Sequence, residues 1–488
     1  MTGARRTADG GRNRGALAIV LHSHMPYVEG FGTWPFGEEW LWEAMASVYL
    51  PLLEVLRDQP VTVGLTPVLC DQLETLTGPA GDRFTSFLRD IRAPIHDEDA
   101  RGLEAGGEHG LAAEVRRAAG DYTGADEAFA TLGGDLVGAF RGLGVELWTS
   151  AATHAVLPLV ATEPGRRLQI GAGAVSHERR FGSWSGGFWL PECAYEPGLE
   201  RELAEIGTRC FCVDQTNARG LGSFDQLEPV ATEAGPVAVP IDWQTVELIW
   251  GPDGYPGKGT YRDYHGRTVH DLKPWNNEGG PYDHEAAMGL AKRHAAEFVE
   301  HVEQRLDAYA SERGRPGLLC CALDTELIGH WWYEGTAFLA EVLRLAGERG
   351  VELVTLPAGL GEPVTGRELE ASSWGRAKDL RTWDSPGVAE FAFAARRAEL
   401  KTLAAAAGAT ADSPALARAA RDLMALQASD WAFITTYELA ADYPRQRVDG
   451  HLADLHTALA ALADSRTVPE PELRNLAPEL DLSPLVAP

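Results

Sequence analysis

The chain has 488 residues, 45% of them apolar, with a formal net charge of −28 at pH 7. That is enough apolar material for a large packed core and too much for a disordered chain. The strong acidity excludes nucleic acid and anionic membrane as partners, since both require a positive surface, and suits a neutral sugar polymer.

The first residues, MTGARRTADGGRNRGA, are basic and glycine-rich, and 1–15 reads as a flexible tail. The first apolar run, Leu17 to Leu21, is too short for a secretory segment and runs into polar His22. No stretch reaches the roughly 18 apolar residues of a membrane span. The six cysteines (70, 193, 210, 212, 320 and 321) form no CxxC pair and mostly sit in apolar runs, so buried free thiols are expected. A cytoplasmic location follows.

Short apolar runs then alternate with longer helical patterns, the signature of parallel α/β architecture. The predicted strands are Ala16–His22, Val61–Leu69, Val145–Thr149, Gly187–Leu190, Cys210–Val213, Val237–Ile241, Leu318–Leu323 and Val351–Leu356. Seven or eight such runs favour a closed barrel over an open sheet. Between the second and third lies a charged stretch of helical periodicity, about 79–143, too long for an ordinary loop and therefore an inserted helical subdomain. The barrel occupies 16–387. Residues 388–466 are helical and alanine-rich and read as a C-terminal helical domain, and 467–488, with five prolines, as an extended tail.

Polar and aromatic residues gather where strands end, which is where a β/α barrel builds its site. In LHSHMPYV, His22 and His24 lie two apart on a strand and so face one side. ELWTSAATHAVLPL places His154 just beyond a strand, and GGFWLPECAY does the same for Glu192. A carboxylate at that point faces the barrel mouth or carries a costly buried charge. In LLCCALDTELIGHWWYEG, Asp324 and Glu326 both lie at a strand end, with His330, Trp331 and Trp332 following; position alone leaves open which carboxylate acts. Two carboxylates from different strand ends are what a glycosidase requires, one to attack the anomeric carbon and one to protonate the leaving oxygen. Aromatic faces supply the sugar platform, and Trp34, Trp184, Trp250, Trp275, Trp374 and Trp383 all stand in polar, loop-like contexts. The HxH pattern also suits a metal-dependent barrel hydrolase using His22, His24, His154 and Asp324. A glucan-binding protein without activity is a further alternative.

At these residues the sequence resembles glycoside hydrolase family 57, and within it the 1,4-α-glucan branching enzymes. LHSHMPYV, ELWTSAATHAVLPL, GFWLPECAY, ALDTELIGHWWYEG and ASSWGRAKDLRTW match the family's five regions in order. WPFGEEWLWEAMASVYLPLL, GPDGYPG and LMALQASDWAFITT extend the match over nearly the whole chain. The resemblance implies a (β/α)7 barrel with a helical insertion and a helical C-terminal domain. It implies Glu192 as nucleophile and Asp324, rather than Glu326, as acid/base of a retaining double displacement. It also implies sugar contacts by His22, Trp40, His154, Trp250, Trp374 and Trp383; His24, His330, Trp331 and Asp430 complete the expected substrate-binding set, with an α-glucan as partner and neither cofactor nor metal. A 4-α-glucanotransferase or an α-amylase of the same family is the alternative activity. The family's branching enzymes carry a long loop with a tyrosine near its tip before the GYPG segment; here the stretch Thr216 to Trp250 is short and has no tyrosine. A wetter cleft, with weaker branching and appreciable hydrolysis, is the expectation.

Overall fold

The computed structural model describes residues 14–468, 473 and 475–486. The tail expected over 1–15 lies outside the described residues as far as residue 13. Nine strands form one sheet: β1 (Gly15–Ser23), β2 (Thr62–Leu65), β3 (Glu146–Ser150), β4 (Gly187–Trp189), β5 (Cys210–Val213), β6 (Val230–Ala231), β7 (Val237–Pro240), β8 (Gly317–Asp324) and β9 (Glu352–Leu353). Their order is β6-β7-β5-β4-β3-β2-β1-β8, with β9 added beside β1, and every pairing is parallel except β6 with β7. The seven long-connected parallel strands make a distorted (β/α)7 barrel. Its seam lies between β7 and β8, where the Asp242 N–H just past β7 donates to the Cys320 carbonyl at 2.9 Å.

β1 is the axis of this arrangement. All nine of its residues are buried, as a near-continuous apolar run covered on both faces must be. It pairs with β8 over eight residues, from Gly15 opposite Gly317 to His22 opposite Asp324. At the start of that register a side chain on Gly15 would stand 2.1 Å from the Gly317 oxygen, so only glycine lets the two strands meet there. The interior is filled partly by cysteine: Cys193, Cys210, Cys212, Cys320 and Cys321 all belong to the main core, and all six thiols are free and buried.

Two predicted strands are shorter than their apolar runs. The run Val61–Leu69 leaves the sheet at Leu65 because Pro67, which has no N–H to give a neighbouring strand, opens the helix Pro67–Glu74 after extended Thr66. Of Val351–Leu356 only Glu352–Leu353 pairs, since Leu356 and Pro357 begin the helix Leu356–Gly359. β6 was not foreseen; two residues carry no readable alternation.

Between β2 and β3 run the helices Pro79–Ser86, Ala93–Ala105, His109–Leu132 and Leu136–Arg141. After β9 the chain is helical again over Ala389–Ala406, Pro414–Leu426, Asp430–Thr436 and Tyr443–Ala463. Ser413 caps the second of these through Leu416 N at 3.3 Å, with Pro414 in its first turn. A second core cluster ties these helices to the strand-end loops, joining Val156 and Ala194 with Trp383, Leu423, Trp431 and Leu455. The end of the chain is packed down where it is described: Leu473, Leu476, Leu482 and Leu485 are buried, and Ala477 N donates to the Asp71 carboxylate at 2.8 Å. No helix among the described residues is long and apolar enough to cross a membrane.

Candidate active site

The register of β1 and β8 sets His22 beside Asp324 at the carboxyl end of the sheet. β4 ends in Leu190-Pro191, and the chain then turns through Glu192 (φ 61°, ψ 19°) and Cys193 (φ 49°), both left-handed. His154, beyond β3, is left-handed as well (φ 59°). Such conformations cost about 1–3 kcal/mol each for a residue with a side chain, and persist where surrounding contacts impose them. Here the contacts are visible. Trp374 N donates to the Glu192 carbonyl and Ser429 N to the His154 carbonyl, at 2.9 and 3.2 Å.

The side chains form a connected set. His22 Nε2 lies 2.9 Å from His154 Nε2, and His154 Nδ1 lies 2.9 Å from Ser429 Oγ. Ser429 bonds through its side chain to the Glu192 carboxylate, and Trp374 Nε1–H donates to Glu192 Oε2 at 2.9 Å. A carboxylate only accepts, so Ser429 donates to it and accepts from His154 Nδ1–H. That leaves His154 Nε2 as the acceptor for His22 Nε2–H, a tautomer assignment fixed by the network. Beneath lies a stack of rings, His22 on Trp189 with centroids 4.5 Å apart and His24 on His154 at 4.0 Å. His24 Nε2 meets both Asp430 oxygens, at 3.1 and 3.0 Å, and its Nδ1 lies 3.2 Å from Thr66 Oγ1. Glu326 accepts from the Tyr49 hydroxyl and from His24 N.

The electrostatics separate these groups. Burial, then the charge of His24, hold His22 and His154 well below the ordinary imidazole value, so both are neutral donors and acceptors. Burial pushes His24 the same way, but Asp430, assisted by Glu326 and Glu192, outweighs it and raises this one imidazole. Burial raises Glu192, against the opposing hydrogen bonds from Trp374 and Ser429. Asp324 is held well above the carboxylate range by burial and by the charges of Glu326 and Glu192. Burial also pushes Glu326 up to about 7, even though the Tyr49 hydroxyl favours its charged form.

These groups open into a cleft of about 1900 Å³. All twelve residues singled out from the sequence line it: Glu192 and Asp324, together with His22, His24, Trp40, His154, Trp250, His330, Trp331, Trp374, Trp383 and Asp430. Trp34, 59% exposed, stands at its rim, and Trp250 and Trp331 form a tilted pair with centroids 5.7 Å apart. Trp184 and Trp275 do not line the cleft; Trp184 Nε1 instead caps the Gly187 carbonyl at 3.0 Å and its ring packs on a side cluster. Sequence reasoning missed Ser429, Trp189 and Tyr49. All three fall inside segments that carry the family resemblance, but a lone hydroxyl or a strand aromatic there reads as ordinary packing. Among the described residues no three His, Cys, Asp or Glu side chains are arranged to hold a metal ion.

Residues 141–358 match the sequence profile described as glycosyl hydrolase family 57, and 393–483 that described as 1,4-alpha-glucan branching enzyme, C-terminal. The chain is 32% identical over 507 residues to a 1,4-alpha-glucan branching enzyme of Thermococcus kodakarensis, covering 91% of this chain and 73% of that protein. It is 34% identical to a probable 1,4-alpha-glucan branching enzyme of Mycobacterium tuberculosis, covering 93% of each. Its fold superposes on the crystal structure of a GH57-type branching enzyme from Pyrococcus horikoshii with a TM-score of 0.89, 30% identity and 97% of each chain covered.

Proposed function

Because the chain belongs to glycosyl hydrolase family 57, we propose that it is a 1,4-α-glucan branching enzyme in which Glu192 is the nucleophile and Asp324 the acid/base. Relatives of that activity match over more than nine-tenths of the chain. The observation that carries the assignment of roles is that two carboxyls share one cleft in unequal surroundings. Glu192 receives hydrogen bonds from Trp374 and Ser429, which favour its ionised form, while burial and two carboxylate neighbours keep the proton on Asp324. Burial raises both carboxyls, Asp324 the further, which leaves Glu192 the readier of the two to ionise and Asp324 the one that keeps its proton.

In the retaining cycle Glu192 attacks C1 of an α-1,4-linked glucosyl unit as Asp324 protonates the departing 4-oxygen. Asp324, now ionised, takes the proton of an acceptor hydroxyl, whose oxygen displaces Glu192 with net retention. A 6-hydroxyl acceptor yields a branch. The neutral pair His22 and His154 offers hydrogen-bonding edges to the bound ring without adding charge. Trp250 and Trp331, a tilted pair, together with Trp40 and Trp374, line the cleft and offer stacking faces to successive sugars. A glycogen-like polymer as substrate belongs to the same reading, as does a cytoplasmic location, which six buried reduced thiols favour.

Water competes with the sugar acceptor. Of the short stretch Thr216 to Trp250, the residues lining the cleft are Trp243, Val246, Glu247 and Trp250, all on its closing helix, so no long loop from it reaches over the intermediate. Hydrolysis is therefore expected beside branching. The test is incubation with amylose, with Glu192→Ala as control, following iodine colour, new reducing ends and chains released by a debranching enzyme. Colour loss with debranchable chains establishes branching, and the ratio of reducing ends to branches measures the leak to water. Colour loss with reducing ends alone makes the protein a hydrolase, and no Glu192-dependent change removes the assignment. Release of the α anomer as first hydrolysis product checks retention.

A further inference from the structure

The segment 370–383 carries Trp374, whose indole sits on the Glu192 carboxylate. It is joined to the strand ends in two places. Ser372 and Tyr195 exchange both backbone hydrogen bonds, at 2.9 and 3.0 Å, and Gln215 bonds through its side chain to Glu370 and Ser372. These contacts fix the backbone leading up to Trp374. Beyond it the chain turns sharply. Lys378 N donates to the Gly375 carbonyl at 2.8 Å, and Ser373 N to the Lys378 carbonyl at 3.3 Å. Gly375 is required in this turn, because a side chain there would stand 2.9 Å from the Trp383 ring. Lys378 itself is left-handed, with φ 58°.

Two side-chain contacts hold this turn against the barrel: Asn217 Nδ2–H donates to the Ala377 carbonyl at 2.9 Å, and Lys378 forms an ion pair. Lys378 Nζ lies 2.8 Å from Asp214 Oδ2, at the end of β5, with side chains 14% and 0% exposed. Asp214 Oδ1 accepts from Thr216 N at 2.9 Å, so its carboxylate is oriented by its own turn before the lysine arrives. The ammonium also lies over the ring of Trp243, which lines the cleft. A buried pair of this kind does little for net stability, but breaking it is costly, since it leaves a charge without a partner.

We propose that the Asp214–Lys378 pair is a latch that positions Trp374 on the nucleophile, and that through Trp374 it governs both the reactivity of Glu192 and the partition between sugar and water. The inference rests on Glu192 being the nucleophile. Lys378 and Asp214 are positioning residues; neither touches the reacting atoms. With the latch released, the 375–378 turn keeps only the Asn217 bond at Ala377, and the Trp374 indole, still tied to Glu192 through its backbone N–H, is no longer held square on Oε2. Glu192 then keeps the Ser429 donor and the field of His24, against burial and the charge of Asp430.

The test uses the full chain, with Lys378→Met, Lys378→Arg, Trp374→Phe and the double variant Lys378→Met/Trp374→Phe, on amylose. Lys378→Met is expected to lower kcat about tenfold with KM within about twofold, the pattern of a lost transition-state contact. Losing one donor to the carboxylate raises Glu192, so the acidic limb of the pH profile moves up by about one unit. The share of turnover ending in reducing ends rises several-fold. Lys378→Arg restores both limb and partition, and Trp374→Phe reproduces the limb shift. The double variant shifts it no further than Trp374→Phe alone, because the two changes act in series. A raised KM with an unmoved limb would instead make Lys378 a direct sugar contact, and lowered thermal stability with unchanged kinetics would make the pair structural. Either result overturns the latch. Loss of the Glu192 assignment itself is read separately, from residual activity in Glu192→Ala.

Discussion

Replacing Asp430 by asparagine keeps the size of the side chain and removes the charge that faces His24. The imidazole nitrogen lies 3.0 Å from one Asp430 oxygen and 3.1 Å from the other, and both side chains are 12% exposed. At an effective dielectric constant of about 20 the attraction across 3 Å is about 5.5 kcal/mol before any desolvation cost. A hydrogen bond to a charged group is worth about 1.5–3 kcal/mol net, which is the expected loss while His24 is protonated. In the unfolded chain His24 titrates near 6.5, and in the fold Asp430 raises it. The contribution is therefore complete below pH 6.5 and fades as pH climbs through the raised value. Urea unfolding at pH 5.5 should show the variant less stable by about 1.5–3 kcal/mol, and at pH 9 by less than about 1 kcal/mol. Circular dichroism and tryptophan fluorescence must give coincident transitions before the two free energies are compared. An equal penalty at both pH values, or a larger one at pH 9, would refute a charged His24 paired with Asp430.

Glu326→Gln should act in the opposite sense. Burial lifts Glu326 from 4.5 to about 7, so this carboxyl costs the fold stability as pH rises from 4.5 to 7, about 3 kcal/mol in all. The variant should thus gain on the wild type between pH 5 and pH 8 in the same unfolding assay. Removing the Glu326 charge also lowers Asp324, so the basic limb of the pH–activity profile should move down by about one unit. Ser429→Ala removes a hydroxyl donor from Glu192 and should raise the acidic limb, with kcat down about tenfold and unchanged binding of amylose in an inhibition assay. Trp250→Ala removes a half-exposed stacking face; KM for amylose should rise about tenfold, equivalent to 1.4 kcal/mol, with kcat within about twofold.

Much of the frame was legible along the chain. Cys210–Val213 is a strand end to end as expected, and β1, β3, β4, β7 and β8 begin or stop within a residue of their apolar runs, because strands covered on both faces leave an uninterrupted hydrophobic signature. The runs that over-extended did so at Pro67 and Pro357, where the missing N–H and fixed φ start a helix inside an apolar stretch. The histidines and carboxylates stood out because charge at the end of an apolar strand is costly unless it faces an open site. Between Asp324 and Glu326 position did not decide, and both lie in the cleft.

Composition, periodicity and motif therefore determined the architecture, the strand ends and the polar side chains gathered there, all of which depend on neighbours a few residues away. Tertiary structure alone decided the partners: Ser429 on Glu192 and Asp430 on His24 from the C-terminal helices, Tyr49 on Glu326, and Lys378 on Asp214. These pairs span from 164 to 406 residues of chain, and nothing local in either member encodes the other. Only the packing of the helices and loops against the barrel brings them within hydrogen-bonding distance, and that packing sets the donors and charges each carboxyl meets.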